Sequence, residues 1–177
     1  MKSEDISRRS FLKRAAALSA AAAIPSFWIP SKANAMPGVP FVSANEKVRI
    51  AFIGIGNRGG EIAQELYKTG LCEVVALCDV DMGAPHTQKL ISMFPKVPRF
   101  QDFRQMFDKM ADKIDAVTVG TPDHSHFPIT IEAMAHGKHV YVEKPMARTF
   151  QEIEVMMRAE KKFGVVTQMG KDRKSNV

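Results

Sequence analysis

Short apolar runs recur along the chain from residue 47 onward, each bounded by charged residues or glycine and separated by amphipathic stretches. The first, Val48 to Ile53, is apolar at almost every position, which is the pattern of a strand buried on both faces. Val74 to Cys78, a weaker run from Val97 to Phe100, Ala116 to Val119, His139 to Val142 and Val165 to Gln168 follow. Between them the spacing predicts helices over roughly Gly60 to Lys68, stopped by Gly70, and over Pro85 to Met93. Three more are predicted from Asp102 to about Met110, from about Phe127 to Ala135, and from Thr149 to Phe163, the last two closed by Gly137 and Gly164. Asp102 with Gln105, and Thr149 with Glu152, have the separation of N-capping residues and their partners. Strands alternating with helices in this way predict an α/β fold, a doubly wound parallel sheet with right-handed crossovers.

The first strand runs straight into Gly54, Gly56 and Gly59, a G-x-G-x-x-G turn between strand and helix. Such a turn lets Gly54 bend tightly, lets backbone N–H groups at Gly56 approach a diphosphate, and lets Gly59 bring helix and strand close. The helix N-terminus beyond it offers unpaired N–H donors and the positive end of a dipole. Asp79 stands twenty residues after Gly59, at the carboxyl end of the second run, where a carboxylate can bond the hydroxyls of a ribose. Glycines, helix, second strand and acid in register point to a dinucleotide.

Residues 1–35 differ in kind. Ser7-Arg8-Arg9-Ser10-Phe11-Leu12-Lys13 matches the bacterial twin-arginine export signal, an Ala-rich run continues to Ile24, and Ala33-Asn34-Ala35 supplies a cleavage pattern. The apolar run is too short to span a bilayer, so no stable membrane insertion is expected. These residues are read as a signal peptide, residues 36–46 as a linker, 47–170 as the dinucleotide-binding domain and 171–177 as a polar tail. The expected destination is the periplasm or beyond, reached through the twin-arginine machinery. That route carries folded proteins, often with a cofactor inside, so a tightly held, slowly exchanging cofactor is expected.

Charge supports this division. Of the formal +6, residues 1–35 carry +4, which leaves +2 for the rest and no basic stripe with interleaved aromatics. Nucleic acid is therefore not an expected partner. Cys72 and Cys78 cannot bridge within one extended strand. His124 and His126 lack a third ligand at matching spacing, so no metal site is expected.

Thr121-Pro122-Asp123-His124-Ser125-His126 after the fourth strand and Glu143-Lys144-Pro145 after the fifth fall on the same sheet edge as the glycine turn. Together with that turn, in this order, they resemble the glucose–fructose oxidoreductase, inositol dehydrogenase and MocA family over roughly Lys47 to Gly170. The resemblance implies a Rossmann domain and NAD(P)-dependent chemistry at a sugar or polyol carbon. It implies that Gly54, Gly56, Asn57, Arg58 and Gly59 hold the diphosphate, and that Asp79 binds the adenosine ribose and favours NAD over NADP. It places Thr121, Pro122 and His126 along the path to the nicotinamide, Glu143 near the nicotinamide ribose, and Lys144 as the catalytic lysine. Some relatives use tightly bound NAD to cleave glycosidic bonds by transient oxidation and elimination, and this reading stays open. Family members continue into a second α+β domain that carries the substrate pocket and through which full-length forms associate; this sequence stops at Val177. The resemblance therefore implies a chain without its substrate domain, with weak or no turnover, or a dinucleotide-binding remnant that is not an enzyme.

Overall fold

The computed structural model describes residues 47–170. The twin-arginine motif, the linker and the polar tail lie outside the described residues. In chain order the elements are β1 (Val48–Ile53), α1 (Asn57–Lys68), β2 (Cys72–Cys78), α2 (Pro85–Met93), β3 (Arg99–Phe100), α3 (Phe103–Met110), β4 (Ala116–Val119), α4 (His126–Ala135), β5 (His139–Val142), α5 (Phe150–Phe163) and β6 (Thr167–Met169). Short 3-10 turns at Ala111–Lys113 and Asp123–Ser125 follow α3 and precede α4. The six strands form one sheet in the order β3-β2-β1-β4-β5-β6, with every pair parallel. The chain winds outward from β1 in both directions, so the carboxyl ends of β1 and β4 face a crevice where the order reverses, the place where open α/β sheets bind ligands. This is the doubly wound, Rossmann-type α/β fold that the apolar pattern predicts.

Alternation along β1 separates two cores. Ile50 and Phe52 join Ala63 of α1 and Leu90 and Ile91 of α2 on one face. Ala51 and Ile53 join Met106 and Phe107 of α3, Ala133 and Met134 of α4 and Met156 of α5 on the other. With both faces covered near the centre, the strands need apolar residues at every position, as a buried parallel sheet requires.

The pairing of β1 with β2 slips by one between Ile50↔Val74 and Ala51↔Ala76. The extra residue in β2 makes a bulge, which flips the side chains beyond it to the opposite face. Cys72 consequently packs with the α1–α2 core and Cys78 with the α3–α5 core, and both are free thiols. Burial, reinforced by the charges of Asp79 and Asp102, pushes the Cys78 thiol up to about 12, so it behaves as a small apolar side chain.

Boundaries differ from the pattern where local chemistry outweighs periodicity. Helix α1 starts at Asn57, about a turn earlier than expected, because its glycines, poor helix formers alone, are buried where the backbone must pack closely. Helix α5 carries the complete Thr149/Glu152 capping box and ends in a left-handed Gly164 with φ 64°. The Val165 N–H then bonds the Glu160 carbonyl, which delays β6 to Thr167. Strand β3 shrinks to two residues, and β2 begins two residues early.

The amino edge of the sheet is pinned by one ion pair. Asp115, almost fully buried before β4, accepts from Arg49 Nη2 at 2.6 Å, from Nε at 2.9 Å and from the Arg49 backbone N–H at 2.9 Å. Burial alone would raise the Asp115 carboxyl; the side-chain and backbone bonds from Arg49 outweigh it and hold the group below the usual carboxylate range.

Candidate active site

At the carboxyl edge, three backbones interlock. Gly54 adopts φ +78°, and a Cβ there would lie 2.5 Å from the backbone N of Thr121. A Cβ on Gly59 would overlap the Gly54 carbonyl oxygen, and one on Gly120 would lie 2.6 Å from Gly59 Cα. The end of β4 thus sits directly against the start of α1, with no room for a side chain between them. Gly56 differs: a Cβ there would overlap the imidazole of His86, which reaches across from the first turn of α2. Asn57 begins α1 with φ 41°, and Gly56 stands as N-cap without a side-chain bond, so no N-cap side chain occupies the N–H groups of the first turn.

Asp79 is braced against this turn. Its Oδ2 accepts from the Ile55 N–H at 2.9 Å and its Oδ1 from the Asp81 N–H at 3.0 Å. Each oxygen keeps further acceptor capacity, since an ionised carboxylate has about four lone-pair sites.

The loops after β4 and β5 meet through His126. Its ring is fully buried, with Nδ1 2.7 Å from the Pro145 carbonyl oxygen and Nε2 2.7 Å from the Thr121 carbonyl oxygen. With its ring enclosed and both nitrogens against carbonyl oxygens, His126 ties together the loops after β4 and β5. For the same reason it cannot pair with the exposed His124 around a metal, and among the described residues no group of three or more His, Cys, Asp or Glu could hold one.

Glu143 follows β5 and is buried, 6% exposed. Its Oε2 accepts from the Lys144 N–H at 3.3 Å. Its Oε1 lies 3.5 Å from Arg58 Nε, an ion pair without hydrogen-bond geometry, and Oε1 has no hydrogen-bond partner among the described residues. Thr121 Oγ1 is likewise buried and unpartnered. Burial first, and then the Glu143 charge, raise the neighbouring Tyr141 phenol, and a Cβ on Gly170 would lie 2.5 Å from Glu143 Oε1 and 2.7 Å from the Tyr141 hydroxyl. Lys144, joined to Pro145 by a cis peptide, is exposed, and so is Pro122. The structure therefore brings Gly54, Gly56, Asn57, Arg58, Gly59, Asp79, Thr121, Pro122, Glu143 and Lys144 to one edge.

Gly120 and His86 are site residues that sequence reasoning passes over. Gly120 carried a signal, since a glycine directly after a buried strand marks close backbone approach. His86 carried none, because only the packing of α2 against α1 brings it to the glycine turn.

An α/β sheet with a glycine turn at its switch point defines a dinucleotide-binding protein of the Rossmann class. The chain matches the model of the oxidoreductase family with an NAD-binding Rossmann fold, GFO_IDH_MocA, over residues 48–171, and it belongs to that family. It is 31% identical over 164 residues to an alpha-N-acetylgalactosaminidase of Shewanella oneidensis, a match covering 84% of this chain and 35% of the relative. It superposes on myo-inositol 2-dehydrogenase from Lactobacillus plantarum with a TM-score of 0.62 and 26% identity, covering 71% of this chain and 36% of that one. The WlbA dehydrogenase from Bordetella pertussis, solved with NADH and UDP-GlcNAcA, gives a TM-score of 0.63 at 25% identity, covering 74% of this chain and 40% of that one. The chain thus spans about a third of the length of the curated relatives it matches. Among the described residues no helix is long and apolar enough to cross a membrane.

Proposed function

We propose that the chain binds NAD along the carboxyl edge of its sheet and serves an enzyme that oxidises or reduces a carbinol carbon of a sugar or polyol. The supporting observation is that two buried acceptors without hydrogen-bond partners, Glu143 Oε1 and Thr121 Oγ1, stand at the same edge as a glycine turn with no room for side chains. Buried polar atoms without partners are rare, and a ligand hydroxyl would satisfy them. Gly54, Gly56, Asn57 and Gly59 present backbone to the diphosphate, and Asp79, already oriented by Ile55 and Asp81, accepts from the adenosine ribose. A bound nicotinamide supplies the hydride acceptor or donor. Lys144, on a backbone held by Glu143 and by the tie from His126 to Pro145, holds the proton of the reacting hydroxyl and offers positive charge to the oxygen. Calorimetric titration of the purified chain with NAD tests the reading: saturable one-to-one binding is expected, and no heat at millimolar NAD would end it.

A second reading is favoured by one observation, the relatives named glycosyl hydrolase family 109 and alpha-N-acetylgalactosaminidase. In it the same Lys144 and the same cofactor serve a transient oxidation that ends in cleavage of an N-acetylgalactosaminide. Release of the phenol from an aryl N-acetylgalactosaminide at catalytic NAD, without NADH accumulation, would select it over net oxidoreduction.

Export through the twin-arginine route forms part of the proposal and rests on Ser7 to Lys13 and Ala33 to Ala35. It requires that NAD be loaded before export and retained. NAD co-eluting with the protein on rapid gel filtration is the expected result, and complete loss would contradict it.

A further inference from the structure

Arg58 lies within the glycine turn, so its natural assignment is the diphosphate, yet its guanidinium engages carboxylates. Nη1 lies 3.2 Å from Glu61 Oε2, and Nε lies 3.5 Å from Glu143 Oε1. The first pair is exposed on both sides and carries little, as such pairs do. The second is different, because the Glu143 side chain is only 8% exposed while the Arg58 side chain is half exposed. A carboxylate out of water needs an opposite charge, and removing that charge is far more costly than the pair itself is worth. The contact also runs between elements, from the first turn of α1 to the residue after β5.

We propose that Arg58 is a positioning residue for the nicotinamide half of the dinucleotide, acting through Glu143 rather than on the diphosphate. The proposal rests on the NAD reading above. The Arg58 charge stands against Glu143 and orients it, Oε2 is taken by the Lys144 N–H, and Oε1 remains as an acceptor for a ribose hydroxyl. One carboxylate then links three things: the glycine turn through Arg58, the backbone of Lys144, and the ribose that carries the reacting ring. Gly170 fits this account, since any side chain there would press on Glu143 Oε1 and the Tyr141 hydroxyl.

The test uses three ligands that share parts of the dinucleotide. ADP has the adenosine and diphosphate, ADP-ribose adds the second ribose, and NAD adds the nicotinamide. Calorimetry on the full chain and on Arg58→Gln should show NAD and ADP-ribose weakened by roughly tenfold to a hundredfold, as expected for loss of a charge-assisted bond, with ADP changed by less than about twofold. Arg58→Lys should recover part of that loss. In a Glu143→Gln background, Arg58→Gln should cost nothing further, because the two residues act as one unit. Equal weakening of all three ligands would return Arg58 to the diphosphate and overturn the proposal, as would no weakening of any. Far-UV circular dichroism checks that each variant is folded; should Arg58→Gln fail that check, Arg58→Lys carries the same comparison of ADP with ADP-ribose. If the unaltered chain binds neither ADP nor NAD, the dinucleotide reading falls, and this proposal with it.

Discussion

The imidazole of His126 stands 2.7 Å from the carbonyl oxygen of Pro145, nineteen residues further along the chain, and equally close to that of Thr121. One buried side chain therefore sets the spacing between the loop after β4 and the loop that carries Lys144. His126→Ala would remove the contacts to both carbonyls and open a void where the ring has no solvent access. The expected cost is about 3 kcal/mol in urea unfolding, from a lost hydrogen bond and lost packing together. NAD affinity should fall with it, since both loops lose their tie. A cost under about 0.5 kcal/mol, within the range of surface substitutions, would mean that other contacts fix the loops.

Two glycines with positive or crowded backbones separate packing from conformation. A Cβ on Gly59 would meet backbone atoms of Gly54 and Gly120, neither of which can turn aside. Gly70 has φ +72° but nothing within 4 Å of the added Cβ. Gly70→Ala should therefore cost about 1–2 kcal/mol, the ordinary strain of a left-handed alanine. Gly59→Ala should cost more and abolish dinucleotide binding, because α1 must move away from β1 and β4. Equal unfolding midpoints for the two variants would refute the interlocked backbones.

What the sequence makes legible here is local and periodic. Val48 to Ile53 is bounded by Lys47 and Gly54, and both ends of β1 follow from that. Thr149 and Glu152 carry their capping box in four residues, and the box is present. The glycine turn, Asp79 and Glu-Lys-Pro are legible as motifs because each occupies a strand end. The extra residue in β2 is invisible beforehand, since it depends on the partner strand and not on the composition of Cys72–Cys78. His126 reads as a polar loop residue by type and spacing; its burial arises only when β4 and β5 lie side by side. His86 over Gly56 and Arg58 beside Glu143 are contacts between elements far apart in sequence, which no period or motif encodes.

Acid should destabilise the fold in two separate windows at the amino edge of the sheet. Burial holds the His139 imidazole below its ordinary value, and its Nδ1 accepts from the Val166 N–H at 3.0 Å, a bond open only to the unprotonated nitrogen. Because the folded value is depressed, the stabilisation is full above the unfolded value of about 6.5 and is lost as pH falls from there through the folded value. Asp115 is also depressed, so its contribution is full above about pH 4 and is lost only below it. Urea midpoints measured from neutral pH downward should show a first decline that His139→Gln removes and a later one that Asp115→Asn removes. A His139→Gln variant that declines as steeply as the parent between about pH 7 and pH 5 would assign the first window to another group.

Cofactor choice should turn on Asp79. Its carboxylate is fixed by Ile55 and Asp81 and faces the region where the adenosine ribose would lie at the end of β2. An ionised acid there accepts from the free 2′-hydroxyl of NAD and repels the 2′-phosphate of NADP. Asp79→Asn keeps an oxygen to accept from the Ile55 N–H, so the glycine turn should hold its shape while the charge disappears. NAD affinity should fall by about tenfold, the worth of a bond to a charged group. NADP affinity should hold or rise, because the repulsion has gone and the phosphate meets only a neutral amide. The quantity to measure is the ratio of the two dissociation constants in parent and variant. If the ratio is unchanged while both affinities drop together, Asp79 serves the turn alone, and discrimination between the two cofactors must lie in another residue.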